Sequence, residues 1–258
     1  MGNLLSSLSK TIHTSLAIAI ILFLGLFYQN DGFSFDTLFW SWVARYTHVV
    51  VSIMWIGLLW YFNFVQIPNM AKIPDEQKPA IGKVIAPAAL FYFRWAAAIT
   101  VLSGLILAWI NGYVHSAMIL GLDGSGGKNT AIGIGMWLGL IMAYNVWFVI
   151  WPNQKKVIAG APDAAEAGAK AGLASRTNTL FSIPMLYLMV YSAHAGSLPN
   201  QLLIGNQLTG LWVGLAIIAV IELNALFGKM NPMITSVKAV VHSGLALGVV
   251  FALIVNYL

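Results

Sequence analysis

Seven stretches of this sequence stay apolar for the length of a membrane crossing, and that pattern excludes most other folds. They cover residues 14–28, 38–66, 85–110, 130–151, 178–196, 207–227 and 234–257. A hydrocarbon core of about 30 Å is crossed by about 20 helical residues, and backbone polar groups inside it must be satisfied internally. The composition leaves no soluble alternative: 59% of the 258 residues are hydrophobic and 8% charged, against about 25% charged in an ordinary soluble domain. The expected fold class is all-α, a polytopic transmembrane helical bundle forming one integral membrane domain over residues 1–258. The lipid bilayer is its first partner. The long second stretch has room to tilt.

Charge bias sets the expected orientation. Lys10 precedes the first stretch; Lys72, Lys78 and Lys83 follow the second; Lys155, Lys156, Lys170 and Arg176 follow the fourth; Lys229 follows the sixth. The alternate connections hold only Lys128, with Asp31, Asp36 and Asp123. The positive-inside rule then places the N-terminus in the cytoplasm and, with seven spans, the C-terminus outside. Residues 1–30 resemble a signal peptide, but no A-x-A cleavage site follows, so a retained first span is expected. The net charge of +5 is scattered between apolar runs, which argues against nucleic acid as a partner. With no cysteine, disulfides, Fe–S clusters and covalently attached haem are excluded.

Between the spans, the Ala-rich residues 159–174 are expected to form a short cytoplasmic surface helix. Residues 121–128 (GLDGSGGK) end like a phosphate-binding loop but lack its leading glycine spacing and an adjoining strand, so a flexible outer turn is expected. Gly135 with Gly139, Gly210 with Gly214, and Gly244 with Gly248 form small-residue pairs that permit close helix packing. No internal repeat is found, which weighs against a transporter.

Ionisable residues inside spans cost about 2.5–3.5 kcal/mol each on insertion scales and mark function. Here they are Arg45 and His48 on the second stretch, Arg94 on the third, His194 on the fifth, Glu222 on the sixth, and Lys238 and His242 on the seventh. Arg45, His48, Ser52 and Asn63 form one polar stripe; Lys238 and His242 form another. Both stripes are expected to point inward. At about 1.5 Å of rise per residue, His48 lies roughly 6 Å and His194 roughly 9 Å to the outer side of their span centres, with His242 about 6 Å to the inner side. His48 and His194 are thus matched in height. Neutral imidazoles on two helices are what a b-type haem needs for its iron, and Arg45 can answer the propionates. His242 is the substitute ligand. The competing reading is that each histidine hydrogen-bonds a neighbouring helix. An inner polar layer holds Arg94, Asn145, Glu222 and Lys238, with His242. It reads either as an ion-pair network or as an anion, quinone or proton site. His13 and His115, near span ends, are expected to be solvated.

Two blocks carry a family resemblance. The first is Arg45-Tyr46-Thr47-His48-Val49 with Trp55-Ile56-Gly57 and Tyr61-Phe62. The second is Asn145-Val146-Trp147-Phe148-Val149-Ile150-Trp151-Pro152-Asn153-Gln154-Lys155-Lys156, then Lys170-Ala171-Gly172, Arg176-Thr177-Asn178 and Pro184-Met185-Leu186-Tyr187-Leu188-Met189, with His194 beyond. The sequence resembles the membrane domain of the bacterial cytochrome-c-linked urate oxidase (urate hydroxylase) family, without the fused cytochrome c domain. More loosely, the R-x-x-H…W-x-G helix is similar to one in HemJ-type protoporphyrinogen oxidases, which implies that His48 is a haem ligand. The resemblance implies a domain of the bacterial inner membrane that passes electrons to cytochrome c. Phe93-Arg94-Trp95 and Ile132-Gly133-Ile134 stand where urate oxidases are expected to carry histidines.

Three functions remain in view. The leading expectation is a redox membrane subunit, a possible oxidoreductase component, that binds haem b and relays electrons to or from a separate cytochrome or a quinone. The second is a cofactor-free accessory or anchor subunit packed against other membrane subunits. The third is a transporter using the inner polar layer.

Overall fold

The computed structural model describes residues 5–31, 34–194 and 207–257, whose regular structure is entirely helical. Seven long helices carry the expected stretches: α1 (Leu8–Asp31), α2 (Thr37–Trp60), α3 (Ala86–Ile110), α4 (Gly127–Tyr144), α5 (Ala164–His194), α6 (Gln207–Phe227) and α7 (Val237–Tyr257). Among the described residues, six helical stretches are long and apolar enough to cross a membrane: Leu8–Leu26, Thr37–Lys72, Lys78–Ile110, Gly127–Ala159, Leu208–Phe227 and Val237–Asn256. The stretch expected at 178–196 lies in α5, apart from residues 195 and 196, which fall outside the described residues. The structure thus bears out a multi-pass all-α membrane protein.

The chain divides into two compact units, Met1–Val43 and Ala44–Leu258. In the first, Asp36 starts α2: its Oδ1 accepts the Phe39 N–H at 2.9 Å, satisfying one of the donors a helix start leaves open. That bond, helped by the Ser34 hydroxyl at 2.9 Å, lowers the Asp36 pKa. Phe23 of α1 stacks on Trp42 with ring centroids 3.6 Å apart.

In the second unit, prolines shape the helices. Three π-helical segments, Tyr61–Gln66, Ile81–Ile85 and Asn145–Ile150, each end two residues before a proline: Pro68, Pro87 and Pro152. Proline has no N–H and its ring crowds the carbonyl four residues back, so the preceding turn widens. The first and third segments share a local sequence, Phe64-Val65-x-x-Pro68-Asn69 and Phe148-Val149-x-x-Pro152-Asn153, in the same register. This local match of six residues occurs twice and is no repeat of the kind that relates the halves of a transporter. Asn69 and Asn153 each donate to the carbonyl four residues back, Val65 O at 2.7 Å and Val149 O at 2.8 Å, supporting the loosened ladder.

Helix α5 sits at the centre of this unit. Trp60 Nε1 donates to Ser182 Oγ at 2.9 Å and Asn63 Nδ2 to Ser175 Oγ at 2.8 Å, so α2 and its π segment run antiparallel to α5. Gly135 of α4 lies against Leu188 and Met185, and Gly244 of α7 against Leu180 and Ile183. A Cβ on Gly244 would stand 3.1 Å from the Leu180 carbonyl oxygen, the acceptor that Pro184 leaves free by lacking an N–H. The expected small-residue pairs on α4 and α7 are thus the two faces that clasp α5. This helix carries the buried Ser175, Arg176, Thr177, Asn178, Thr179 and Ser182. Neighbouring helices surround this polar run, so α5 tolerates a polarity that the six more apolar stretches do not carry.

Two local expectations are corrected. Residues 164–174 are not a separate surface helix but the first three turns of α5, with Ala167, Ala171 and Ala174 buried. Arg176, read from sequence as a loop charge, is buried in the same helix. Residues 121–128 form a pinned turn. Asp123 accepts from Ser116 Oγ at 2.5 Å and from the Ser125 N–H at 3.0 Å, and also from the Ser125 hydroxyl. Thr130 Oγ1 bonds the Leu120 carbonyl at 2.8 Å. Gly121 has φ +75°, and a Cβ there would strike Thr130 Oγ1 at 2.7 Å.

The Ser116 and Ser125 donors hold Asp123 down to a pKa of about 2. Its bonds therefore stabilise the fold above the unfolded carboxylate value, near 3.9, and are lost as pH falls towards about 2. Asp123→Asn should flatten the acid limb of the melting temperature between those values, measured by circular dichroism in detergent. On the neighbouring helix, a Cβ on Gly133 would lie 2.2 Å from the Ala117 carbonyl oxygen, while one on Gly57 meets nothing within 4 Å. Gly133→Ala should cost about 1–3 kcal/mol, whereas Gly57→Ala should be neutral or slightly stabilising, as read by denaturant titration.

Candidate functional site

The polar residues of the second unit gather at two heights. Trp60 and Ser182 provide the reference, since α2 and α5 run antiparallel through that contact. His48 lies twelve residues before Trp60 and His194 twelve residues after Ser182. At about 1.5 Å per residue both stand about 18 Å from the contact, on the same side of it. Their helices thus bring them to one level.

His48 is half buried on α2 and faces α3. Its Nδ1 lies 2.9 Å from the Thr100 carbonyl oxygen, with Ser103 Oγ at 3.3 Å. A backbone carbonyl only accepts, so Nδ1 carries the proton and Nε2 is left with its lone pair. The ring rests on bare backbone: a Cβ on Gly104 would stand 2.8 Å from His48 Cε1. One helical turn earlier, Arg45 is exposed. His194 is exposed near the end of α5, and its Nδ1 lies 3.0 Å from the Val190 carbonyl of its own helix. The same logic leaves its Nε2 free. Interhelical bonding accounts for one nitrogen of His48 and for none of the recorded bonds of His194.

The deeper layer forms around asparagines. Asn145, the first residue of a π segment, donates from Nδ2 to Asn178 Oδ1 and to Glu222 Oε2, both at 3.0 Å. Asn178 Nδ2 in turn donates to the Met142 carbonyl at 2.9 Å. Asn145, Asn178 and Asn63 are all fully buried. The network thus ties α4, α5 and α6 together at one point each. Glu222 Oε1, Asn145 Oδ1, Asn63 Oδ1, Gln66 Oε1, Thr177 Oγ1 and Arg176 Nη1 are buried there without a hydrogen-bond partner.

Of the two readings of the inner layer, the ion-pair network does not form among the described residues. Among the described residues the ion pairs are Lys78 with Asp75, Lys156 with Asp163 and Lys170 with Glu166, all outside this layer. Arg94 instead lies over the Trp151 ring at 3.9 Å from its centroid, with Phe91 at 5.1 Å. Its carbonyl accepts Trp147 Nε1 at 3.1 Å. Lys238 and His242 are exposed on α7. The α7 stripe therefore does not point inward at those two positions; the buried face of α7 is given to Val240, Leu247, Phe251 and Ile254. Among the described residues no group of three or more His, Asp or Glu side chains is placed to hold a metal ion. His13 and His115 are exposed, as expected.

Sequence reasoning passed over Asn178, Ser175 and Ser182 as functional candidates because it scored charge rather than polarity. The available signal was the run Ser175–Thr179, five consecutive polar residues inside a helix with an apolar second half. The sequence model described as "Urate oxidase N-terminal" matches residues 122–255, just over half of the chain. That span holds Asn145, Asn178, His194, Glu222, Lys238 and His242; Arg45, His48 and Arg94 precede it. No curated protein and no solved structure matches the chain.

Asn178→Ala removes the donor to Met142 O and the acceptor for Asn145, orphaning buried groups at a cost of about 1–3 kcal/mol each. A matching loss of stability is expected in denaturant titration, and a loss no larger than that of an exposed Gln77→Ala control would contradict the buried network.

Proposed function

This chain belongs to the urate oxidase N-terminal family, and from that premise we propose that it is a membrane-embedded redox subunit binding b-type haem. His48 and His194 would hold its iron, and the subunit would relay electrons to or from a separate cytochrome c or a quinone. What supports the reading is the pair of imidazoles at one height, each with Nδ1 committed to a backbone carbonyl and Nε2 bare. A histidine that donates its second N–H to a carbonyl is fixed in tautomer and orientation and is the more basic ligand for it. These donors therefore fit haem iron.

Haem held there would supply reversible one-electron chemistry. The chain's own residues do the rest. Thr100 O and Ser103 hold the His48 ring, and Gly104 gives it room against α3. Arg45, one turn away, is free to meet propionate carboxylates. His242 lies two residues before Gly244, which packs on Leu180 and Ile183, so it stands well below the level of His48 and His194 and does not serve as the substitute ligand. Urate is the reductant that the family name brings with it. Phe93 and Ile132 mark where this chain lacks histidines expected for that reaction, so the proposed role is electron transfer within an assembly.

The topology that goes with this function has seven spans, a cytoplasmic N-terminus and the haem layer towards the outer face of the bacterial inner membrane, where a cytochrome c partner reaches it. One observation favours a second reading, a cofactor-free accessory subunit. His242 is exposed on the outward face of α7, as a residue contacting another membrane subunit would be.

A reduced-minus-oxidised spectrum of the purified protein decides between them. The wild type should show a b-type α-band that His48→Ala and His194→Ala each abolish, while His242→Ala leaves it in place. A colourless wild type purified with stoichiometric partners would replace the redox reading with the accessory one.

A further inference from the structure

We propose that the groove walled by Glu222 binds the headgroup of a membrane-soluble quinol, whose hydroxyl donates to the free oxygen of that carboxylate. The choice of an electron-carrying ligand rests on the redox reading above; the site itself does not.

The groove has a volume of about 420 Å³ and is lined by Trp137, Leu140, Ile141, Tyr144, Glu222 and Leu226. That size falls within the range for small-molecule sites, about 300–1,000 Å³. The α4 residues recur at i, i+3, i+4 and i+7 and the α6 pair at i and i+4, so the groove is the seam between one face of each helix. Its walls are apolar apart from the Glu222 carboxyl, the Tyr144 hydroxyl and the Trp137 indole nitrogen. Glu222 Oε2 is taken by Asn145, and Oε1 is buried with no donor. Asn145 has nothing more to give Oε1, because its amide already serves Asn178 and Glu222. Trp137 Nε1 is spent on the Met118 carbonyl at 3.0 Å. The protein thus presents an acceptor in an apolar slot and leaves the donor to come from outside.

That demand selects the ligand class. An acyl chain offers no donor, and a phosphate headgroup would bring negative charge against a carboxylate. A hydroxylated aromatic ring supplies the donor and a flat apolar face for Trp137 and Tyr144 to cover. Glu222 stands five residues before the end of α6 at Phe227, about 7 Å along the axis. A ring seated there keeps its apolar tail in the bilayer.

The test uses the full chain in lipid nanodiscs under anaerobic conditions, titrated calorimetrically with decylubiquinol and, separately, with its dimethyl ether. Saturable binding of the quinol is expected, with the ether about tenfold weaker, as loss of one hydrogen bond implies. Glu222→Gln should weaken quinol binding by a similar factor, and Leu140→Trp, which fills the slot, should remove it. Equal binding of quinol and ether to the wild type would overturn the proposal, and that comparison needs no variant to fold. The titration requires no haem. A colourless protein that distinguishes quinol from ether would retire the haem reading and keep this one, while a haem-bearing protein indifferent to the hydroxyl would do the reverse.

Discussion

A polar group inside a bilayer finds no water, so each one must meet another part of the protein or bear a cost of several kcal/mol. The arrangement of α5 follows from that constraint. It carries the most polar run of any long helix in the chain, Ser175 to Asn178 with Thr179 and Ser182, and all of these side chains are buried. Trp60 and Asn63 reach it from one side, Asn145 from another, and the glycines of α4 and α7 bring their backbones close enough to clasp it. With α5 moved to the edge, those groups would face lipid unpaired.

The prolines solve a related problem in a different way. Pro68, Pro87 and Pro152 each remove a backbone donor, and the chain responds with a widened turn rather than a break. A widened turn shifts the helix face. Asn63 and Asn145 both lie in such segments, and both project into the buried layer. The same Phe-Val-x-x-Pro-Asn run thus produces the same geometry twice, on helices that both run antiparallel to α5.

The two polar levels differ in what they leave open. Around His48 and His194 the open atoms are imidazole nitrogens with lone pairs, which suit a metal in a porphyrin. Around Glu222 the open atoms are mostly acceptors: the carboxylate Oε1 and the amide oxygens of Asn145, Asn63 and Gln66. An electron carrier at one level and a hydroxyl-bearing ligand at the other would be about 24 Å apart along the bundle, taking Asn178 four residues from Ser182 on the opposite side from His194. The two sites are therefore separable in experiment.

Hydropathy alone determined the class of this protein, its helical stretches and the small-residue faces, because lipid imposes one requirement along the whole chain and the sequence answers it locally. The second block was legible only as a resemblance to a known family, and it lies within the residues that the family's sequence model matches. Tertiary structure decided the rest. It merged residues 164–174 into α5, buried Arg176, moved Arg94 out of the charged layer and onto Trp151, and turned Lys238 and His242 outward. Those outcomes depend on which helix faces which. A side chain's cost in the membrane is set by its neighbours on other helices, and periodicity along one helix does not record them.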